Sequence, residues 1–248
     1  MNNTQAAIIL AAGMGKRMKS DLPKVLHEIN GKPLIRHLLE TMATIALDRL
    51  IVVIGHKGDM VIRELRDFEV DFVWQKEQLG TGHAVLMARD YFKDFNGTVL
   101  IASGDVPFLS AGSINGLFAI HRQNEASATC LSAEFDNPAG YGRIIRKPET
   151  DILLDIIEEK DADPETKKIH EINTGTFCFK ASELFATLEK VGNNNAQGEY
   201  YLTDTIKILQ AEGKPCAVSK AANAGEVAGI NSIEQLKNLE LALNQKKA

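Results

Sequence analysis

Long hydrophobic runs are missing from this sequence. Its apolar stretches are of strand length, such as Leu50–Ile54, far short of the roughly 20 residues a membrane-spanning helix needs. No basic segment leading into an apolar stretch occupies Met1–Ala7, so no signal peptide is expected there and a cytoplasmic protein is. Excess positive charge is missing too. The 28 Lys and Arg against 33 Asp and Glu leave a net charge of −5, which disfavours a nucleic-acid partner, since such surfaces gather cations for the phosphates. A small anionic ligand needs only a local basic cluster and is not excluded. Cys130, Cys178 and Cys216 are widely separated and form no C-x-x-C pair, so they read as small residues in or near strands of a reduced protein. The six histidines show no metal-ligand spacing, and no Pro/Ser linker, low-complexity tract or hexapeptide repeat divides the chain.

What is present is ordinary globular composition, 44% hydrophobic and 25% charged over 248 residues, enough for one large α/β domain. Strand and helix patterns alternate through the first half. Strands are predicted at Ala6–Leu10, Leu50–Ile54, Asp71–Trp74 and Thr98–Ala102. Helices are predicted from Pro33 through Ile45, over Met60–Phe68 and over Gly82–Asp90. This alternation implies βαβ units and a mostly parallel sheet. The middle changes character, with strands predicted at Ser127–Ala133, Gly142–Ile145, Ile152–Ile157 and Thr174–Lys180, forming extra antiparallel pairs or a lid. Helices return at Ser182–Lys190, Thr203–Ala211 and Ser232–Asn244.

The first strand runs into a glycine-rich turn, Leu10-Ala-Ala-Gly-Met-Gly-Lys-Arg-Met18. Glycines there let backbone N–H groups approach phosphates. The Walker pattern fails, because Leu stands at position 10 and Arg17 follows Lys16. The dinucleotide pattern fails at Met18, where a small residue is required. Lys16, Arg17 and Lys24 crowd this turn and repel one another unless an anion or an acid compensates. The stretch reads either as a solvated basic loop offset by Asp21, or as a phosphate cradle with Arg17 and Lys24 as charge-assisted donors.

In an open parallel sheet the ligand lies beyond the carboxyl ends of the strands. Gln75–Gly82 and Ser103–Pro107 follow predicted strands and carry glycine and polar groups. Asp105 is either a turn-forming residue before Pro107 or an oxygen ligand for Mg²⁺ between protein and phosphates.

Together these segments resemble the sugar-phosphate nucleotidyltransferases, whose L-A-A-G-x-G-x-R-M element fits residues 10–18 and whose P-K element fits Pro23-Lys24. Gln75–His83, Gly104–Pro107, Gly140–Ile144, Glu158–Asp161, Glu171–Gly175 and Asn193–Asp204 narrow the likeness to the bacterial N-acetylglucosamine-1-phosphate uridylyltransferases. The match runs from about Ala7 to about Asn231. It implies a Rossmann-like α/β fold, with a mostly parallel central sheet flanked by helices and a smaller mixed or antiparallel β insertion on the sugar side. It also implies a nucleotidyltransferase domain over residues 1–231 and a C-terminal helix over 232–248. The implied reaction joins UTP to N-acetylglucosamine-1-phosphate, with Mg²⁺ as cofactor, giving UDP-N-acetylglucosamine for peptidoglycan and lipopolysaccharide, and pyrophosphate. A sister enzyme for another sugar or base, or a non-catalytic nucleotide-sugar binder, is the alternative.

The resemblance also assigns roles. Leu10, Ala11, Ala12 and Gly13 hold the nucleotide, and Gln75, Gly80 and Thr81 recognise uracil and nearby groups. Arg17 and Lys24 stabilise the phosphates. Asp105 and Asn231 are the metal ligands. Gly104 lies in the substrate-binding set, with Gly140, Glu158 and Asn173 toward the sugar and ribose, and Tyr201 and Thr203 lining the sugar pocket. Ser103 stands where relatives often have Tyr and is carried over only as a backbone contact. His83 is expected to cap or pack, and Trp74 to be a buried support for the uracil loop. Full-length relatives continue into a trimer-forming β-helix acetyltransferase. No such repeat occurs in these 248 residues, so a monomer without acetyltransferase activity is expected.

Overall fold

Gln5–Ala11 (β1) is buried on both faces, and its side chains alternate between two cores. Ala6 and Ile8 enter one core, Ala7, Ile9 and Ala11 the other. The same period of two recurs in Arg49–Ile54 (β4) and Thr98–Ser103 (β6), as a sheet covered on both sides requires. The computed structural model describes residues 4–230 and 232–245.

After β1, Glu28–Ile29 (β2) and Lys32–Pro33 (β3) form a small hairpin that leads into Leu34–Met42 (α1). Then come β4, Gly58–Glu64 (α2), Asp71–Trp74 (β5), Thr81–Leu86 (α3), β6, Ala111–Gln123 (α4) and Ala128–Glu134 (β7). Arg143–Arg146 (β8), Leu153–Ile157 (β9), Glu171–Lys180 (β10), Ala181–Leu188 (α5), Asp204–Ala211 (α6), Cys216–Lys220 (β11) and Ile233–Gln245 (α7) follow.

The main sheet runs β11-β7-β10-β6-β1-β4-β5. β5, β4, β1 and β6 are parallel, and β11 is parallel to β7. β10 runs antiparallel between β6 and β7. The sheet is therefore parallel on one side of β6 and mixed on the other. β8 and β9 form the antiparallel offshoot, joined to β10 through Ile172 and Arg143. Helices α1, α2 and α4 feed one core through Leu38, Val61 and Phe118; α3, α5 and α6 feed the other through Val85, Leu184 and Leu209.

The sequence expectations differ from this fold in instructive places. The second helix ends at Glu64 and not Phe68, and the third at Leu86, where a separate 3-10 turn takes over at Arg89–Phe92. β7 and β10 belong to the main run of the sheet, and β8 and β9 branch from it at β10. Helix α4 and strand β11 lie where no element was expected. Gly112 and Gly116 weaken the helical signal of α4, although Ile114, Leu117, Phe118 and His121 form its buried stripe. Leu236 and Leu239 of α7 pack with Ile29, Leu34, Phe108 and Ile230. Among the described residues, no helix is long and apolar enough to cross a membrane.

Candidate active site

The chain order sets the place of the site. From β1 the chain winds outward through β4 and β5, then returns to the other flank of β1 as β6. Such a reversal opens a crevice at the carboxyl ends of the two central strands. The loops emerging there are the glycine-rich bend after β1 and Ser103–Pro107 after β6. The Gly104 N–H donates to the Leu10 carbonyl at 2.9 Å, tying one loop to the other.

The glycine bend is shaped by close approach. Gly15 has φ +60°, and a Cβ there would stand 2.8 Å from Lys24 Cβ, so only glycine lets the bend lie against Lys24. Lys24 opens a 3-10 turn after Pro23, anchored by buried Val25 and Leu26. Its ammonium pairs with the Asp105 carboxylate. Gly80 is the other constrained position. At φ +113°, a Cβ would meet the Tyr200 carbonyl at 2.6 Å. Here the 75–83 loop abuts residues 200–202: Gly82 N–H donates to Tyr200 O at 2.8 Å, Tyr200 N–H to Leu79 O at 2.8 Å, and Leu202 N–H to Thr81 Oγ1 at 3.0 Å.

The result is a cleft in two adjoining parts. The wider part has a volume of about 760 Å³ and is lined by Leu10, Ala11, Ala12, Gly13, Lys24, Gln75, Gly80, Thr81 and Ser103. The inner part, about 290 Å³, is lined by Arg17, Lys24, Asp105, Gly140, Glu158, Asn173 and Thr203. Leu10, Lys24, Thr81 and Ser103 line both. Of the other expected residues, Gly104 lines neither part, and a Cβ on it would lie 3.1 Å from Val25. Tyr201 also lines neither; it is buried, and its hydroxyl accepts from Gln197 Nε2 at 2.9 Å. Asn231 and the Lys16 side chain lie outside the described residues, though Ile230 N–H donates to the Asp105 carbonyl at 3.0 Å. Trp74 is not a buried support: it is 41% exposed, and its ring packs on Gly58. His83 packs as expected, with Nδ1 3.0 Å from Gln75 Nε2.

The inner part is a network of committed side chains. Glu158 Oε1 accepts from the Thr203 hydroxyl at 3.0 Å. Burial pushes the Glu158 carboxyl above its ordinary value, against the downward pull of Thr203, and nearby Asp204, Asp161 and Glu199 push the same way. Asn173 sits where β10 bulges, before Gly175 at φ +77°. Its Oδ1 accepts from Gly175 N–H at 2.8 Å and from the Cys130 thiol at 3.3 Å. Tyr141 is raised by burial and by the Asp105 charge, and lowered by a Gly229 backbone hydrogen bond and by Arg17. One ring thus senses Asp105, Arg17 and the segment leading toward Asn231.

Asp105 fits a divalent cation by its chemistry. The carboxylate is almost fully buried yet already holds a positive charge, the Lys24 ammonium. Among the described residues no three His, Cys, Asp or Glu gather as a metal cage. Mg²⁺ commonly takes one or two carboxylates and completes its shell with phosphates and water, and Asp105 offers one such carboxylate at the wall of the inner part.

Sequence reasoning missed Gln78, Lys160, Gln197 and Glu199 in the wider part, and Tyr141, Gly142 and Thr174 in the inner part. The signal for each was its segment, since every one lies inside a stretch that carried the resemblance. Which side chain of a loop faces the cleft is set by the loop's own hydrogen bonds.

Residues 7–200 match the MobA-like NTP transferase domain family. The chain is 44% identical over 240 residues to the bifunctional protein GlmU of Halalkalibacterium halodurans, covering 97% of this chain and 52% of that protein. It is 45% identical over 241 residues to the bifunctional protein GlmU of Pelotomaculum thermopropionicum, with the same coverage of 97% and 52%. The chain thus spans about half the length of the curated relatives it matches. The fold superposes with a TM-score of 0.77 on a UDP-glucose pyrophosphorylase solved with UDP-glucose, at 17% identity, covering 98% of this chain and 99% of that one. At that identity the likeness is one of fold.

Proposed function

The chain belongs to the MobA-like NTP transferase domain family, and from that premise we propose that it transfers UMP from UTP to N-acetylglucosamine-1-phosphate, with Mg²⁺, in the cytoplasm. The observation that carries this reading is the shared cleft. A glycine bend, the Lys24–Asp105 pair and the Glu158, Asn173 and Thr203 set line two adjoining spaces that share Leu10, Lys24, Thr81 and Ser103 at the switch point.

The wider part suits the nucleotide. Gln75 donates Nε2 to the Gly80 carbonyl at 3.1 Å, and that nitrogen also faces His83 Nδ1. Its carboxamide oxygen has no partner among the described residues. An acceptor there suits the N3–H of uracil and not the bare N3 of cytosine. The inner part suits the sugar, whose hydroxyls would donate to Glu158 and to the Thr203 oxygen and accept from the Asn173 amide.

In the reaction the sugar-phosphate oxygen attacks the α-phosphorus in line. A new phosphorus–oxygen bond forms, the bond to the oxygen bridging the β-phosphate breaks, and pyrophosphate departs with that electron pair. The attacking phosphate is already ionised at neutral pH, so no side chain need take a proton. The protein's work is positioning and charge offset. Lys24 and Arg17, which line the inner part, offset phosphate charge. Asp105, with Asn231 by resemblance, would hold Mg²⁺, which when bound supplies further charge neutralisation between the phosphates.

The test is a panel of four NTPs against several sugar phosphates, read by pyrophosphate release. UTP with N-acetylglucosamine-1-phosphate should be the best pair. A faster reaction with another base or sugar would replace the substrate assignment.

A further inference from the structure

The turn after β9, Glu158-Glu159-Lys160-Asp161, holds three acids and one cation. Every acid is committed. Glu158 accepts from Thr203, Glu159 pairs with Arg143 at 2.8 Å, and Asp161 Oδ1 accepts the Ala196 N–H at 2.9 Å. The turn closes on itself, with the Asp161 and Ala162 N–H groups donating to the Glu158 carbonyl at 2.9 and 3.0 Å. Lys160 alone is left over. It is exposed, lines the wider part of the cleft, and makes no ion pair among the described residues. Glu199 lines the same space but does not pair with it.

Lys24 also lines that space, but it shares its charge with Asp105. A triphosphate carries more negative charge than Lys24 and Arg17 together offset, and a flexible ammonium is a good point-charge partner for phosphate oxygens. Resting on the nucleotide reading of the wider part, we infer that Lys160 is a further phosphate-binding residue, contributed from the β9 side and contacting the outer phosphates of the nucleoside triphosphate. The turn that presents Glu158 to the sugar then also grips the end of the nucleotide that leaves. Its anchors, Arg143 and Ala196, hold the backbone while the side chain stays free to follow the departing pyrophosphate.

Calorimetric titration of UTP and of UMP tests this with wild type, Lys160→Ala and Lys160→Arg at fixed MgCl₂ and two salt concentrations. Lys160→Ala should weaken UTP by about tenfold and UMP by less than about twofold, because only the outer phosphates lose a charge-assisted contact. The UTP loss should shrink at high salt, and Lys160→Arg should stay near wild type. Wild-type UTP affinity in Lys160→Ala, or equal losses for UTP and UMP, would overturn the role of Lys160 and leave the nucleotide reading standing. No UTP binding by wild type would overturn both.

Discussion

The wider half of the cleft, which we assign to the nucleotide, is made largely by backbone at the carboxyl edge of parallel strands, whereas the inner half, which we assign to the sugar, is made by side chains around antiparallel ones. In the first, Leu10–Gly13 and Gly80 bring main chain to the cleft wall, and glycine is required because neighbours sit within 3 Å of any Cβ at Gly15 and Gly80. In the second, Glu158, Asn173 and Thr203 are already hydrogen-bonded before any sugar arrives. A backbone site tolerates few substitutions but needs no partner network. A side-chain site can be retuned residue by residue, at the cost of burying a carboxylate. Asp105 stands at the seam, where both substrates would place phosphate.

The seam should be the most sensitive point. Asp105→Asn and Arg17→Ala should each keep the fold and lower turnover by about 100- to 1,000-fold, the usual loss for one electrostatic group. Pyrophosphate release beside a melting curve reads both effects, and wild-type turnover in Asp105→Asn would remove Asp105 from the chemistry. On the backbone side, Gly80→Ala should cost about 2–3 kcal/mol of stability by forcing the Tyr200 carbonyl away. Denaturant unfolding measures it; an unchanged midpoint would mean that the loop relaxes freely. On the side-chain side, Glu158→Gln should raise the KM for the sugar phosphate by about 10- to 30-fold and leave that for UTP unchanged, since one charged hydrogen-bond partner is replaced by a neutral one.

Glu158 also carries a pH signature. Its carboxyl is raised by burial, so its ionisation works against the folded state: its stabilising contribution is present at low pH and lost as pH rises through the folded value. Glu158→Gln should therefore be slightly more stable than wild type at pH 7 while binding sugar less well. Opposite behaviour is expected far from the cleft, at His121. Burial lowers this imidazole to about 4, helped by Lys180 and Arg122, and its Nδ1 lies 2.9 Å from the Thr129 hydroxyl. Its contribution is complete above the unfolded value of 6.5 and is lost as pH falls toward 4. Between pH 7 and 5 wild type should lose about 1–2 kcal/mol more than His121→Gln. Parallel melting curves for the two proteins would contradict this assignment.

The same contrast explains what could be read in the sequence. The wider half was legible because backbone sites leave glycines and cations at fixed spacing, and Leu10–Gly13, Lys24, Gln75, Gly80 and Thr81 line it. The edge strand β11 and helix α4 were not legible. β11 is five residues long and takes its place by pairing with β7, and two glycines dilute the signal of α4. Lys160 escaped because a lysine among acids reads as a solvated face until Thr203, Arg143 and Ala196 are seen to occupy those acids. Tyr201 failed in the other direction. Its segment matched, but the ring turned inward to meet Gln197.

The most direct test of the shared cleft is one assay on two proteins. Wild type and Asp105→Asn are incubated with UTP, Mg²⁺ and N-acetylglucosamine-1-phosphate, and UDP-N-acetylglucosamine and pyrophosphate are quantified together. Equal amounts of both products from wild type, and almost none from Asp105→Asn, are expected. Absence of the nucleotide sugar with wild type, or equal yields from the two proteins, would contradict a cleft in which triphosphate and sugar phosphate meet at Asp105.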